Sequence, residues 1–207
     1  MDAAGFITAG GLSSRMGRDK GLIELDGRSL IEHVIGAFSG IVTDLSIIAN
    51  SSEYDRFGLP VFGDMNRAVG PLEAIRTALA NSATRCVLLC ACDTPFVTRE
   101  LFEFLLRQIG EYNVVVPRDQ QGMLEPLCAV YSREVFGPVS ELIASGRRKV
   151  SDLFERVPTR TISFEEFSHL SGAANFFKNI NTPDDLESAA GILAHLRSFR
   201  SEQSPTE

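Results

Sequence analysis

The first stretch that could do chemistry is "AGGLSSRMGRDKG", residues 9–21, directly behind the short apolar run Gly5-Phe6-Ile7-Thr8. Gly10 and Gly11 would let backbone N–H groups approach a phosphate closely, and Arg15 and Lys20 add positive charge suited to a polyphosphate. Taken alone, the stretch reads equally well as a mobile basic loop. It matches neither G-x-x-x-x-G-K-[ST] nor G-x-G-x-x-G. A second candidate is "CACDTPFV", where Asp93 follows the most apolar run of the chain. A carboxylate at the end of a buried strand suits Mg²⁺, which takes one or two protein carboxylates and fills its shell with water and phosphate oxygens. The competing account is an Asx turn capped by Asp93 and set by Pro95.

Other residue types offer less. Cys86, Cys90, Cys92 and Cys128 form no C-x-x-C pair, so buried reduced thiols are expected rather than a zinc site or disulfides. His33, His169 and His195 lie far apart and away from cysteines or carboxylates at metal-ligand spacing, which favours surface or packing roles. The net charge of −7 disfavours a long nucleic-acid partner, whose binding rests on neutralising many phosphates. A small anionic ligand needs only a local cluster of cations. With 44% hydrophobic and 23% charged residues in 207, the expectation is one cytoplasmic domain with neither signal peptide nor membrane span.

The elements that must position these residues alternate. Strand-like runs fall at 5–8, 21–25, 45–50, 60–62, 86–92, 113–117, 126–131 and 159–164. Helical patterns fall between them, at 29–38, 52–57, 70–82, 98–109, 132–144, 149–156 and 182–196. Ser29 is a plausible N-cap, Pro71 opens its helix, and Thr182 caps one whose first turn holds Pro183, Asp184 and Asp185. Such alternation predicts an open, mainly parallel α/β sheet with helices on both faces, in a single domain over 1–196. The tail, 197–207, is poor in apolar residues and is expected to be disordered. Ligands of such sheets bind beyond the carboxyl ends of the strands. Gly10, Gly11, Asn50, Asp64 and Asp93 all follow strands and would share that rim.

"ITAGGLSSRMGRDKGLIEL", "GPLEAIRTAL", "LLCACDTPFV" and "NINTPDDL" stand in the order and at the separations seen in the molybdenum cofactor guanylyltransferases. The chain resembles that family over about residues 5–190, with close matches also in "EPLCAVY" and "SGRRKVSDLF". The resemblance implies a Rossmann-like fold of the nucleotide-diphospho-sugar transferase type. It implies that Thr8, Ala9, Gly10 and Gly11 hold GTP, with Arg15 and Lys20 on its phosphates. Asn50 and Asp64 would join the nucleotide site, and Asp93 would hold nucleotide and Mg²⁺. Asn179, Asn181 and Thr182 would line the rim near a molybdopterin acceptor. Apart from the resemblance, the charge run Arg147, Arg148 and Lys149 reads as acceptor docking or, for two of the three, as a solvated helix start, and Glu125 and Pro126 are ambiguous. Lys20, Arg15 and Asp93 would be the catalytic groups, and molybdoenzymes or cofactor-handling proteins the partners that receive the product.

The sequence departs from the family at Thr8, a usual leucine; at Ile48, often asparagine; and at Glu73 and Ala74, where small residues and a glycine are common. The alternatives are a nucleotidyltransferase using CTP or a sugar phosphate, and a non-catalytic nucleotide- or cofactor-binding module. The paired glycines and "CDTP" argue against the first of these. The joint presence of Lys20, Asp64 and Asp93 argues against the second.

Overall fold

Along "CVLLCA" the side chains of Cys86, Leu88 and Cys90 enter one apolar core, while Val87 and Leu89 enter another. A strand apolar on both sides must be covered on both faces, and this segment lies at the centre of the sheet. A computed structural model of the chain describes residues 2–9, 19–63 and 70–202, with side chains through 195. Gly10, Gly11, Arg15 and Asp64 lie outside the described residues.

The strands are β1 (Ala3–Thr8), β2 (Glu24–Leu25), β3 (Arg28–Ser29), β4 (Leu45–Ile48), β5 (Val61–Phe62), β6 (Cys86–Ala91), β7 (Val114–Pro117), β8 (Cys128–Ser132) and β9 (Thr159–Ile162). The helices are α1 (Leu30–Ala37), α2 (Pro71–Ala80), α3 (Arg99–Arg107), α4 (Phe136–Ala144), α5 (Ser151–Phe154), α6 (Phe164–Phe167) and α7 (Pro183–Glu202). Seven strands form one sheet in the order β5-β4-β1-β6-β8-β7-β9. β8 runs antiparallel to both neighbours, and the other pairings are parallel. The carboxyl ends of β1, β4, β5, β6, β7 and β9 therefore share one rim.

Helices α1 and α3 supply Ile31, Val34, Leu101, Phe102 and Leu105 to one face. Helices α2 and α4 supply Leu72, Ile75, Val139 and Leu142 to the other. The expected open sheet with helices on both faces is present. Among the described residues no helix is long and apolar enough to cross a membrane.

Some elements differ from the sequence pattern. "GLIEL" opens as a 3₁₀ turn, Lys20–Leu22, because the Leu22 and Ile23 amides donate back to the Asp19 and Lys20 carbonyls. Only Glu24–Leu25 is strand, paired with β3 across Asp26 and Gly27, whose φ values of 58° and 76° suit the tight turn of a two-residue hairpin. Residues 52–57 are 3₁₀ rather than α, the 132–144 helix opens with a 3₁₀ turn at Arg133–Val135, and α6 follows β9 unforeseen. The last helix continues past residue 196 to Glu202.

Local caps follow the sequence. Glu32 accepts from the Ser29 amide at 2.7 Å and from its hydroxyl, which holds the Glu32 carboxyl below its ordinary range. All four cysteines are buried free thiols. His33 bonds the Leu25 carbonyl at 2.9 Å. A small third core of Ile23, Leu25 and Leu30 meets Phe96, Ile180 and Ala189, and so seats the hairpin against α7. That contact brings residues 20 and 181 together.

Candidate active site

The rim cluster is built around the end of β6. The Cys92 amide donates to the Thr8 carbonyl at 3.0 Å, and the Ala9 amide to the Ile48 carbonyl at 2.8 Å, so three strand ends are knitted side by side. Beyond Cys92 the chain turns, and the buried Thr94 hydroxyl donates to the Ala91 carbonyl at 2.9 Å to close the turn. The Asp93 side chain instead faces Lys20, whose ammonium stands 3.4 Å from Oδ2. Both side chains are about one-fifth exposed, enough to meet a ligand and shielded enough to keep their charges effective.

Lys20 also donates to Asn181 Oδ1, a residue 161 positions away. The segment carrying Asn181 is pinned to the same turn, because the Ile180 amide donates to the Asp93 carbonyl at 2.9 Å. Asp185 fixes the entry to α7. Its carboxylate accepts from the amides of Asn181 (2.9 Å) and Thr182 (2.8 Å), while its own amide donates to Thr182 Oγ1. The backbone bond to Asn181, first among several, holds the Asp185 carboxyl low.

The loop that carries Lys20 has its own anchor. The Tyr54 hydroxyl donates to Asp19 Oδ1, which also accepts from the Gly21 amide at 3.3 Å. A Cβ on Gly21 would stand 2.5 Å from the Tyr54 oxygen and 3.2 Å from Cys92 Sγ, so only glycine fits here. Burial pushes the Cys92 thiol well above its ordinary range, with the nearby Asp93 and Asp19 charges adding to the effect, and it packs as a neutral group.

Thr8, Ala9, Lys20, Asn50, Asp93 and Leu127 line a cleft of about 200 Å³, with Ile48 and Ala74 in its wall. The structure thus gathers Thr8, Ala9, Lys20, Asn50 and Asp93, and bonds Asn181 to Lys20. Asn179 and Thr182 flank the pinned Ile180 on the same segment. Arg147 pairs instead with Asp152 at 2.9 Å on the turn after α4, and no described contact joins it or Arg148 to the cluster. Sequence reasoning gave Asp19, Gly21 and Tyr54 no role in the site and placed Asp185 only in the first turn of its helix, where it does cap. Glu125 lies close enough to Asp93 to feel its charge, and burial, followed by Asp119 and Asp93, raises its carboxyl to about 7.

Among the described residues no three His, Cys, Asp or Glu side chains gather as a metal site. A single hard carboxylate still fits Mg²⁺, which readily keeps water and substrate phosphate as its remaining ligands.

The sequence profile of the MobA-like NTP transferase domain matches residues 5–161. The chain belongs to this family. It is 34% identical over 188 residues to a probable molybdenum cofactor guanylyltransferase from Carboxydothermus hydrogenoformans, covering 91% of this chain and 95% of that one. A molybdenum cofactor guanylyltransferase from Desulfosudis oleivorans is 33% identical over 197 residues, with 93% and 97% covered. The crystal structure of the molybdopterin-guanine dinucleotide biosynthesis protein A from Archaeoglobus fulgidus superposes with a TM-score of 0.79 at 26% identity, covering 93% of this chain and 99% of that one. The family and these relatives make the chain a nucleotidyltransferase.

Proposed function

We propose that the protein transfers GMP from GTP to the phosphate of molybdopterin, forming molybdopterin guanine dinucleotide and pyrophosphate. The observation that carries this is the meeting of Lys20, Asp93 and Asn181 at the carboxyl rim of a chain similar over nine-tenths of its length to guanylyltransferases.

The backbone at Thr8 and Ala9, continued by Gly10 and Gly11, would hold the nucleotide with Asn50 and Asp64. The acceptor phosphate is anionic at neutral pH, so its oxygen is the nucleophile and no histidine base is called for. That oxygen attacks the α-phosphorus of GTP in line. The bond from the α-phosphorus to the bridging oxygen breaks, and the electron pair leaves with pyrophosphate.

The protein's work is to hold two anions in line and to answer charge that develops on the phosphoryl oxygens. Lys20, held between Asp93 and Asn181, supplies a fixed positive charge where the phosphates meet, and Arg15 would supply a second. Asn181 and its neighbours Asn179 and Thr182 would present the acceptor. Mg²⁺ held by Asp93 would neutralise phosphate charge when bound. The reaction belongs in the cytoplasm, with molybdoenzymes or cofactor-handling proteins as receivers.

The test is release of pyrophosphate and appearance of the dinucleotide from GTP, Mg²⁺ and molybdopterin. Equal or better transfer from CTP, or GTP binding without transfer, would overturn the assignment.

A further inference from the structure

A second cleft opens on the same rim, away from the one beside Thr8. β7 and β9 run parallel to β6, so the chain that leaves Pro117 and Ile162 emerges on the Asp93 side of the sheet. The turn after β7 and the segment before Asn179 enclose a cleft of about 250 Å³, lined by Asp119, Gln120, Phe164, Asn175, Phe177 and Lys178. Its parts are held in place. Asp119 Oδ1 accepts from the amides of Gln121 (2.9 Å) and Met123 (2.7 Å), and Gln120 Nε2 donates to the Ala174 carbonyl at 3.2 Å. Phe164 and Phe177 each pack edge-on against the buried Phe167, with ring centroids at 5.4 and 5.9 Å.

The cleft leads to the reacting groups. Its floor, residues 173–178, runs on to Ile180 and Asn181, which bond Asp93 and Lys20. Glu125, whose amide donates to the carbonyl of Pro117 at the end of β7 at 3.0 Å, feels the charges of both Asp119 and Asp93.

We propose that this cleft seats the flat heteroaromatic head of the acceptor, a pterin. A pterin presents a ring N–H and an exocyclic amine on one edge beside a carbonyl. A carboxylate accepts from the two donors, amide side chains complete the edge, and phenyl rings cover the faces. Guanine has the same edge, but the Thr8–Asp93 cleft is the one given to the nucleotide, so the second takes the second substrate. The phosphate of a pterin seated here would extend along residues 178–181 toward Lys20. The assignment rests on the guanylyl transfer proposed above.

Two variants test it. Asp119→Asn keeps the turn acceptor but removes the charge and alters the second oxygen; Gln120→Ala changes an exposed side chain and leaves the core untouched. Expected are a rise of about tenfold in KM for molybdopterin, as for one lost charge-assisted hydrogen bond, and an unchanged affinity for GTP. The second readout needs no transfer: binding of 6-hydroxymethylpterin, followed by its fluorescence anisotropy, weakens by the same factor in Asp119→Asn. Unchanged pterin binding in both variants overturns the cleft assignment, as does an equal loss of GTP affinity, which would make it the guanine site. Failure of GMP transfer in the unaltered protein overturns the reaction; pterin binding that still depends on Asp119 would then leave the cleft assigned.

Discussion

The buried Tyr54 hydroxyl donates to the Asp19 carboxylate, one residue before the lysine that meets Asp93. Burial above all, then neighbouring negative charge, keeps this phenol protonated far above its ordinary range, so the donor is permanently in place. Asp19 in turn accepts from the Gly21 amide, and Lys20 is held between two fixed residues. The bond thus ties the buried ring of the 3₁₀ segment Ser52–Phe57 to the loop that carries Lys20.

Tyr54→Phe removes that donor and leaves a half-buried carboxylate short of a partner. Stability should fall by about 1–3 kcal/mol, and turnover should fall more than GTP affinity as Lys20 loses its register. Urea unfolding together with steady-state kinetics checks both. A variant as stable and as fast as the parent would remove the positioning role.

Gly21→Ala places a methyl 2.5 Å from the Tyr54 oxygen and 3.2 Å from Cys92 Sγ. Both neighbours are buried, so relief must come from the loop itself, at a cost of about 1–3 kcal/mol. The melting temperature should drop and pyrophosphate release should slow together. A rate unchanged beside a lowered melting temperature would show that Lys20 tolerates the shift.

Lys20→Met keeps the length of the stem and removes the charge. The rate should fall on the order of 10²–10³, as when a transition-state donor is lost. Arginine should restore little, because its planar fork differs in shape from the ammonium that fits between Asp93 and Asn181. Single-turnover pyrophosphate release with saturating GTP is the measurement, and a loss below about tenfold would contradict the role.

Asp93→Asn should raise the Mg²⁺ concentration needed for half-maximal rate and lower the maximum. The assay is a Mg²⁺ titration at fixed GTP and molybdopterin. Full activity with an unchanged Mg²⁺ requirement would take the metal away from this residue.

Glu125 gives a pH-dependent prediction. Its carboxyl is raised to about 7 in the folded protein, against an ordinary value of about 4.3 when unfolded. The folded state therefore favours the protonated form. Its contribution is fully present below the unfolded value and is lost as pH rises through about 7. Glu125→Gln cannot ionise, so its melting temperature relative to the parent should climb between pH 5 and pH 8. A difference that stays flat over that interval would contradict the raised value.

Much of the frame was legible because apolar periodicity reports which faces are buried. "CVLLCAC" read as a central strand, Ser29 and Thr182 as caps, and Pro71 as a helix start, and each stands where expected. "GLIEL" failed because alternation over five residues does not reveal that Asp19 and Lys20 carbonyls recapture the next amides. Arg147 read as either an acceptor-docking cation or a solvated helix start because only charge type is visible in sequence, whereas its pairing with Asp152 is set by how the turn after α4 closes.

The sequence by itself determined the α/β class, the strand ends that carry Asn50 and Asp93, and the family, since periodicity and residue type are local properties. Only the tertiary structure decided that β8 runs antiparallel, that Lys20 meets Asn181 across 161 positions, and that Tyr54 holds Asp19. Backbone hydrogen bonding is nearly indifferent to residue identity, so strand partners are chosen by how whole faces pack. The residues that meet at the rim are brought there by that packing: the hairpin's Ile23, Leu25 and Leu30 close on Ile180 and Ala189, and the lysine follows.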